Sequence, residues 1–192
     1  MSKAQMIVLG FLNHTPMHGY QIGLIVEQGE FPVWAGIKLP SVYKAMQSLE
    51  KSRHIRGEET REGNNPPRTV YHINLKGKIL LTQMLNDYLA DSRLSDRDWW
   101  LALSFSHQCI GKEALVAYID TRVIKLRDKD RERRQSKCLE ETASGRIPFV
   151  HKHLIGLARS IQRAEIKALK ELRLDILQNE HPEFFQSQGE HK

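Results

Sequence analysis

Between Ser41 and Leu75 the spacing of apolar residues changes from the three-and-four of a helix to the two of a strand. That switch constrains the fold more than any other feature. Before it, Val42, Met46 and Leu49 fall at i, i+4 and i+7, one face of a helix from about Ser41 to Ser52. After it, TVYHINL (Thr69–Leu75) alternates, with Tyr71, Ile73 and Leu75 on one side and Val70, His72 and Asn74 on the other. Such alternation predicts a half-buried strand. Ile55 to Arg61 predicts a weaker partner, and EGNNPPR between the two has the glycine, asparagine and proline of an exposed turn.

Two helices are predicted upstream. Ala4 to Leu12 is apolar-rich and stops at Asn13-His14. Thr15-Pro16 then reads as an N-cap with proline at the first helical position. The helix so begun carries Ile22, Ile25 and Val26 on one face and stops near Gly29. GEFPVWAGIKLP reads as a loop anchored by Phe31 and Trp34. Three helices followed by a hairpin with a polar tip is the order of a winged helix-turn-helix. The fold expected is therefore mainly α with a small β-hairpin.

Beyond the hairpin, Gly77 opens a fourth helix with Leu81, Met84, Leu85 and Tyr88 on one face. SDRDWWLALSF begins with a capping box, Ser95 to Asp98, and is apolar nearly all round, so a short buried helix is expected. Two long helical patterns follow, Lys112 to about Glu141 and Phe149 to Gln178, separated by a break at Ser144–Pro148. In the second, Leu154, Ala158, Ile161, Ala168, Leu172 and Ile176 form a seam near heptad spacing, which can pack within its own chain or, the reading favoured for helices this long, against a second copy. The division expected is a DNA-binding domain over 1–92, a helical dimerisation domain over 93–180 and a loose tail over 181–192.

Charge points the same way. Lysine and arginine number 29 against 23 aspartates and glutamates, which favours an anionic partner without specifying one. The excess is local: from Lys38 to Arg56 the chain holds Lys38, Lys44, Lys51, Arg53 and Arg56 against Glu50 alone. On a helical wheel Lys44, Gln47 and Lys51 lie opposite Val42, Met46 and Leu49. In a major groove, lysine reaches guanine edges or phosphates and glutamine pairs with adenine, while hydroxyls such as those of Ser41 and Tyr43 take phosphates. Arg61 and Arg68 flank the hairpin tip, diluted by Glu58, Glu59 and Glu62, so the wing is expected on the DNA backbone. Lysines opposite an apolar stripe also occur on any solvated helix; the basic hairpin that follows favours double-stranded DNA. The rival is a winged helix used only for protein contacts.

Other chemistry finds little support. Cys109 and Cys138 are far apart and in no Cys-x-x-Cys spacing, which argues against a disulfide scaffold or a cysteine zinc site. His107 with Cys109, and His151 with His153, diverge at i, i+2, and no metal or cofactor is expected. Glycine-rich phosphate loops and nucleophile–base arrangements are lacking, so enzymatic activity is not expected. A signal peptide and a membrane-spanning stretch are not expected either; the cytoplasm is the expected location. Trp99 and Trp100 admit two readings, core packing or an apolar effector pocket, and adjacent positions on a helix point too far apart to line one narrow pocket together.

HTPMHGYQI, LPSVYKAMQSLEKSRHI and RTVYHINLKGK resemble the PadR family of bacterial transcription regulators over roughly the first 90 residues. The loop with Phe31 and Trp34, and the two long C-terminal helices, are similar to the AphA-type virulence-activator branch. The resemblance implies a winged helix-turn-helix on a helical dimerisation domain, acting as a homodimer at an inverted-repeat operator. It also implies a possible small-molecule effector between the domains, close packing at Gly19, and core-edge or phosphate contacts for Tyr20 and Tyr43. Two positions depart from the family pattern. Arg53 stands where glycine usually ends the recognition helix, and Asn74 or Leu75 replaces the threonine before the fourth helix.

Overall fold

The chain was described from a computed structural model covering residues 2–61, 68–91, 95–107, 109–134, 141–142, 144–146, 148–178 and 185. It divides after Gly111 into two units. The first begins with α1 (Lys3–His14), opened by a capping box in which Ser2 Oγ accepts from the Gln5 N–H and Gln5 Oε1 accepts from the Ser2 N–H. Met6, Ile7, Val8, Leu9 and Leu12 are buried.

The next segment departs from expectation. Met17–His18 form β1, which pairs antiparallel with the wing, Met17 opposite Tyr71 and His18 opposite Val70. Thr15 therefore caps the end of α1, its N–H donating to the Phe11 carbonyl at 3.1 Å, rather than the start of α2 (Gly19–Gln28), which begins later because the sheet ladder claims the backbone before it. Ile22 and Val26 are buried, whereas Ile25 is exposed. The predicted loop contains a single helical turn, α3 (Phe31–Trp34). It is pinned by Phe31 against Phe11, ring centroids 5.7 Å apart, and by Trp34 Nε1 donating to the Gly29 carbonyl at 2.7 Å.

α4 (Leu39–Lys51) starts ahead of Ser41, with Pro40 in its first turn, where a missing N–H costs nothing. β2 (Ile55–Thr60) and β3 (Arg68–Ile73) form the hairpin, in register from Ile55 opposite Ile73 to Thr60 opposite Arg68. The sheet order is β1-β3-β2, so the fold is mainly helical with three short antiparallel strands. The hairpin tip, with Glu62, lies outside the described residues, as do Cys138 and nearly all of the tail. α5 (Leu75–Ala90) opens at Leu75 rather than Gly77, because Asn74 Oδ1 accepts from the Gly77 N–H at 3.0 Å and makes Asn74 the cap.

α6 (Asp96–Ser106) is capped by Ser95 as expected and buried as expected, with Trp99, Leu101, Ala102 and Phe105 inside. It packs in the first unit, so the boundary expected at 92/93 falls inside that unit. Gly10 explains the crossing with α1: a Cβ there would stand 2.3 Å from the Phe105 ring. Lys3 Nζ and Asp98 Oδ1, 2.8 Å apart, tie the same two helices.

The second unit is built on α7 (Lys112–Arg134) and α8 (Val150–Gln178). Leu115, Ile119, Val123 and Leu126 are buried on α7, and Leu169 and Ile176 on α8. Charged and polar groups also tie the two helices together. Arg122 Nη2 meets Glu165 Oε1 at 2.9 Å with both side chains almost wholly buried. Arg173 reaches Asp120 at 2.7 Å, Arg159 reaches Asp130 at 2.9 Å, and Gln162 Nε2 donates to the Leu126 carbonyl.

Candidate nucleic-acid interface

α4 divides as an amphipathic helix should. Val42, Ala45, Met46 and Leu49 are buried; Ser41, Lys44, Gln47, Ser48 and Lys51 are exposed. Lys38, just before the helix, is exposed too. Tyr43 lies on the flank with its hydroxyl over α2, in space that a Cβ at Gly23 would take, 2.9 Å away. Gly19 also packs closely, since a Cβ there would stand 3.0 Å from Met46 Cε. The outward face thus carries two cations and an amide in successive turns, one helix width apart from the core.

The C-terminus of α4 resolves the Arg53 departure. Arg53 adopts φ +58°, the left-handed conformation usually given to glycine. Its N–H donates to the Glu50 carbonyl at 2.9 Å and the His54 N–H donates to the Leu49 carbonyl at 2.8 Å, the two bonds of a Schellman motif. The turn is held from α5: Asn74 Nδ2 donates to the Arg53 carbonyl at 2.9 Å and Lys76 Nζ to the Ser52 carbonyl at 3.0 Å. Gly77 permits that approach, because a Cβ there would lie 2.3 Å from the His54 carbonyl oxygen. Burial, with Lys76 nearby, pushes the His54 imidazole below its ordinary value. Lys76 is a cation near the candidate interface that sequence reasoning missed; its signal was only its place at the second position of α5.

A second surface lies where α2 meets the wing. His18 Nδ1 bonds the Thr69 carbonyl at 3.1 Å and Gln21 Oε1 accepts from the His18 N–H at 2.8 Å, which fixes the start of α2 on β3. Beside them is a groove of about 630 Å³ lined by Tyr20, Arg68 and Tyr71 among others. Tyr20 is 70% exposed. This groove was not legible without β1, a strand too short to show alternation. Arg61 and Arg68 are both exposed on the wing. Glu58 sits 3.9 Å from Arg56 Nη2 and 3.6 Å from His72 Nε2, so part of the acid that dilutes the wing is turned toward its own strands.

The remaining predicted residues separate. Trp99 is buried, donates from Nε1 to the Leu89 carbonyl at 3.1 Å and meets Trp100 edge to face, an arrangement of core packing rather than an open pocket. On α8, Ile176 is buried and has no surface to give a partner; Ala158 and Leu172 are half-buried. One outward apolar stripe is formed by Val150, Leu154, Leu157 and Ile161, 47%, 54%, 58% and 59% exposed, followed at the same spacing by exposed Ala164 and Ala168; Leu174 and Leu177 are exposed off that stripe. Burial pushes the Cys109 thiol up. Among the described residues no cluster of histidine, cysteine and acids is placed to hold a metal, and no helix is long and apolar enough to cross a membrane.

No curated protein matches the sequence. Solved structures do. Bacillus subtilis PadR in complex with operator DNA is 18% identical, with 92% of this chain and 98% of that one covered and a TM-score of 0.40. The same regulator in complex with p-coumaric acid is 17% identical, over 91% and 99%, with a TM-score of 0.41. The smu.1604c protein of Streptococcus mutans UA159 is 20% identical, over 87% and 96%, with a TM-score of 0.40. The family profile is local: it matches residues 8–83, from within α1 through both wing strands and into α5. Over that stretch the chain matches the model of the transcriptional regulator PadR-like family.

Proposed function

We propose that the protein is a sequence-specific regulator that binds double-stranded DNA as a homodimer on an inverted-repeat operator, with α4 in the major groove and the wing on the backbone. The observation that carries this reading is the outward face of α4, where Lys44, Gln47 and Lys51 stand exposed on a helix whose other face is core. Lys44 and Gln47 are assigned to base edges. Tyr20, Lys38, Ser41, Tyr43, Lys51, Arg61 and Arg68 are assigned to phosphates, where they set affinity and register. The match to the PadR-like family model over residues 8–83 supports the assignment.

The homodimer reading rests on α8. Its apolar seam from Val150 to Ala168 repeats at four and three residues, as a coiled-coil face does, and is exposed. A second copy is the natural occupant of such a face, and two copies related by a two-fold axis would present two α4 helices to half-sites about one DNA turn, roughly 34 Å, apart. The helical turn at Phe31–Trp34 and the length of α8 support the AphA-type branch.

Selection of genomic fragments by the purified protein tests the function. Duplexes with an inverted repeat should be enriched. Lys44→Ala or Gln47→Ala should change which of them is preferred, by about 1–3 kcal/mol at the position read. Enrichment of no duplex would leave the winged helix as a protein-contact module.

A further inference from the structure

We propose that the hollow between α7 and α8 is a binding site for a compact polyanion, a di- or triphosphate or a small polycarboxylate. The hollow measures about 340 Å³, at the lower end of ligand-pocket sizes, and its walls carry Arg127, Arg131, Arg134 and Arg163 against one acid, Asp130. That acid is already satisfied. Arg134 and Arg159 both reach its carboxylate, and their guanidinium groups hold it below its usual carboxylate range. Arg131 has an exposed partner, Asp128, at 3.5 Å. Arg127 and Arg163 have no ion pair among the described residues, although they line the same concavity from the two facing helices.

Unpaired arginines at close quarters repel one another, and a concave wall focuses their field. An anion with two or more charged groups relieves that repulsion and can take a forked guanidinium on each side. The lining also says what does not fit. Ile166 is its one apolar residue and it has no aromatic ring, so an aromatic acid would find no stacking surface. Gln162 is committed to the Leu126 carbonyl and to Arg133, which fixes the floor between the helices. This site is built from α7 and α8 alone and does not depend on the function proposed above.

The test is calorimetric titration of the full chain with inorganic pyrophosphate, citrate and benzoate at matched ionic strength. Saturable binding of pyrophosphate or citrate is expected, and the stronger of the two identifies phosphate or carboxylate as the preferred group. Benzoate should not compete. Arg127→Gln/Arg163→Gln should weaken the preferred anion by about a hundredfold, each of the two lost charge-assisted bonds being worth about one decade. Should circular dichroism show that variant unfolded, Arg131→Gln replaces it, with a loss of about tenfold expected for its single bond. Lys44→Ala/Lys51→Ala should bind the anion as the parent does. The proposal is overturned by absence of saturable binding at millimolar anion, by unchanged affinity in the folded arginine variant, by equal competition from benzoate, or by loss of binding in the lysine variant.

Discussion

The two units solve the same packing problem in opposite ways. In the first, apolar side chains point inward and polar ones outward: Met6, Ile7, Leu81, Leu85, Trp99 and Leu101 are buried, while Lys44 and Lys51 face solvent. In the second, charge lies between the helices, with Arg122 on Glu165, Arg159 on Asp130 and Arg173 on Asp120, while the longest apolar stripe of α8 faces out. A core of the first kind stabilises itself. An interior of the second kind specifies alignment at little net gain, because desolvation of the ions offsets most of their attraction. Its exposed apolar surface is where the second copy proposed above would sit.

The largest test strikes that outward stripe. Leu157→Glu/Ile161→Glu removes two side chains that each contribute about 1.5–3 kcal/mol when fully buried. The dimer constant should weaken by roughly 10²–10⁴-fold, read by sedimentation velocity, and duplex affinity should fall with it. The near-ultraviolet signal of Trp99 should not change, since its packing lies in the first unit. A variant that remains dimeric would break the contrast between the units.

A smaller effect sharpens it. Arg122→Met alone leaves Glu165 buried without its partner and should cost about 3–5 kcal/mol in urea unfolding. Arg122→Met/Glu165→Leu, which removes both charges, should recover most of that loss. If the single and double variants are equally destabilised, the pair stabilises by packing rather than by alignment, and the two units differ less than their contacts suggest.

The same contrast decides what could be read from sequence. The α4 face was legible because one period governs it and its buried and exposed residues differ sharply in polarity. The phase of α8 was not. Gln162 is buried and Leu157 exposed, against their polarity, because Gln162 bonds the Leu126 carbonyl across the hairpin and Glu165 has Arg122. The predicted seam accordingly included Ile176, which is buried, and omitted Leu157. β1 was illegible because two residues cannot alternate; its register comes from Tyr71 and Val70, more than fifty positions away. The allegiance of α6 also needed a distant fact, the room that Gly10 leaves for Phe105.

The smallest expected effect lies where the first unit breaks its own rule. Arg53 holds a left-handed backbone at the end of α4, a conformation that glycine takes without the steric cost. Arg53→Gly should therefore stabilise the fold by about 0.5–1 kcal/mol, seen as a rise in melting temperature. The helix end does not need Arg53 for charge, because Lys76 Nζ already donates to the Ser52 carbonyl. What the substitution removes is an exposed cation beside the helix proposed to face DNA. Affinity for all duplexes should drop modestly, and the salt slope should shrink by about 0.9, one released counterion. Stability and affinity moving in opposite directions would assign Arg53 to the phosphates. A melting temperature that falls instead would mean the arginine side chain holds the turn, and the strain argument fails.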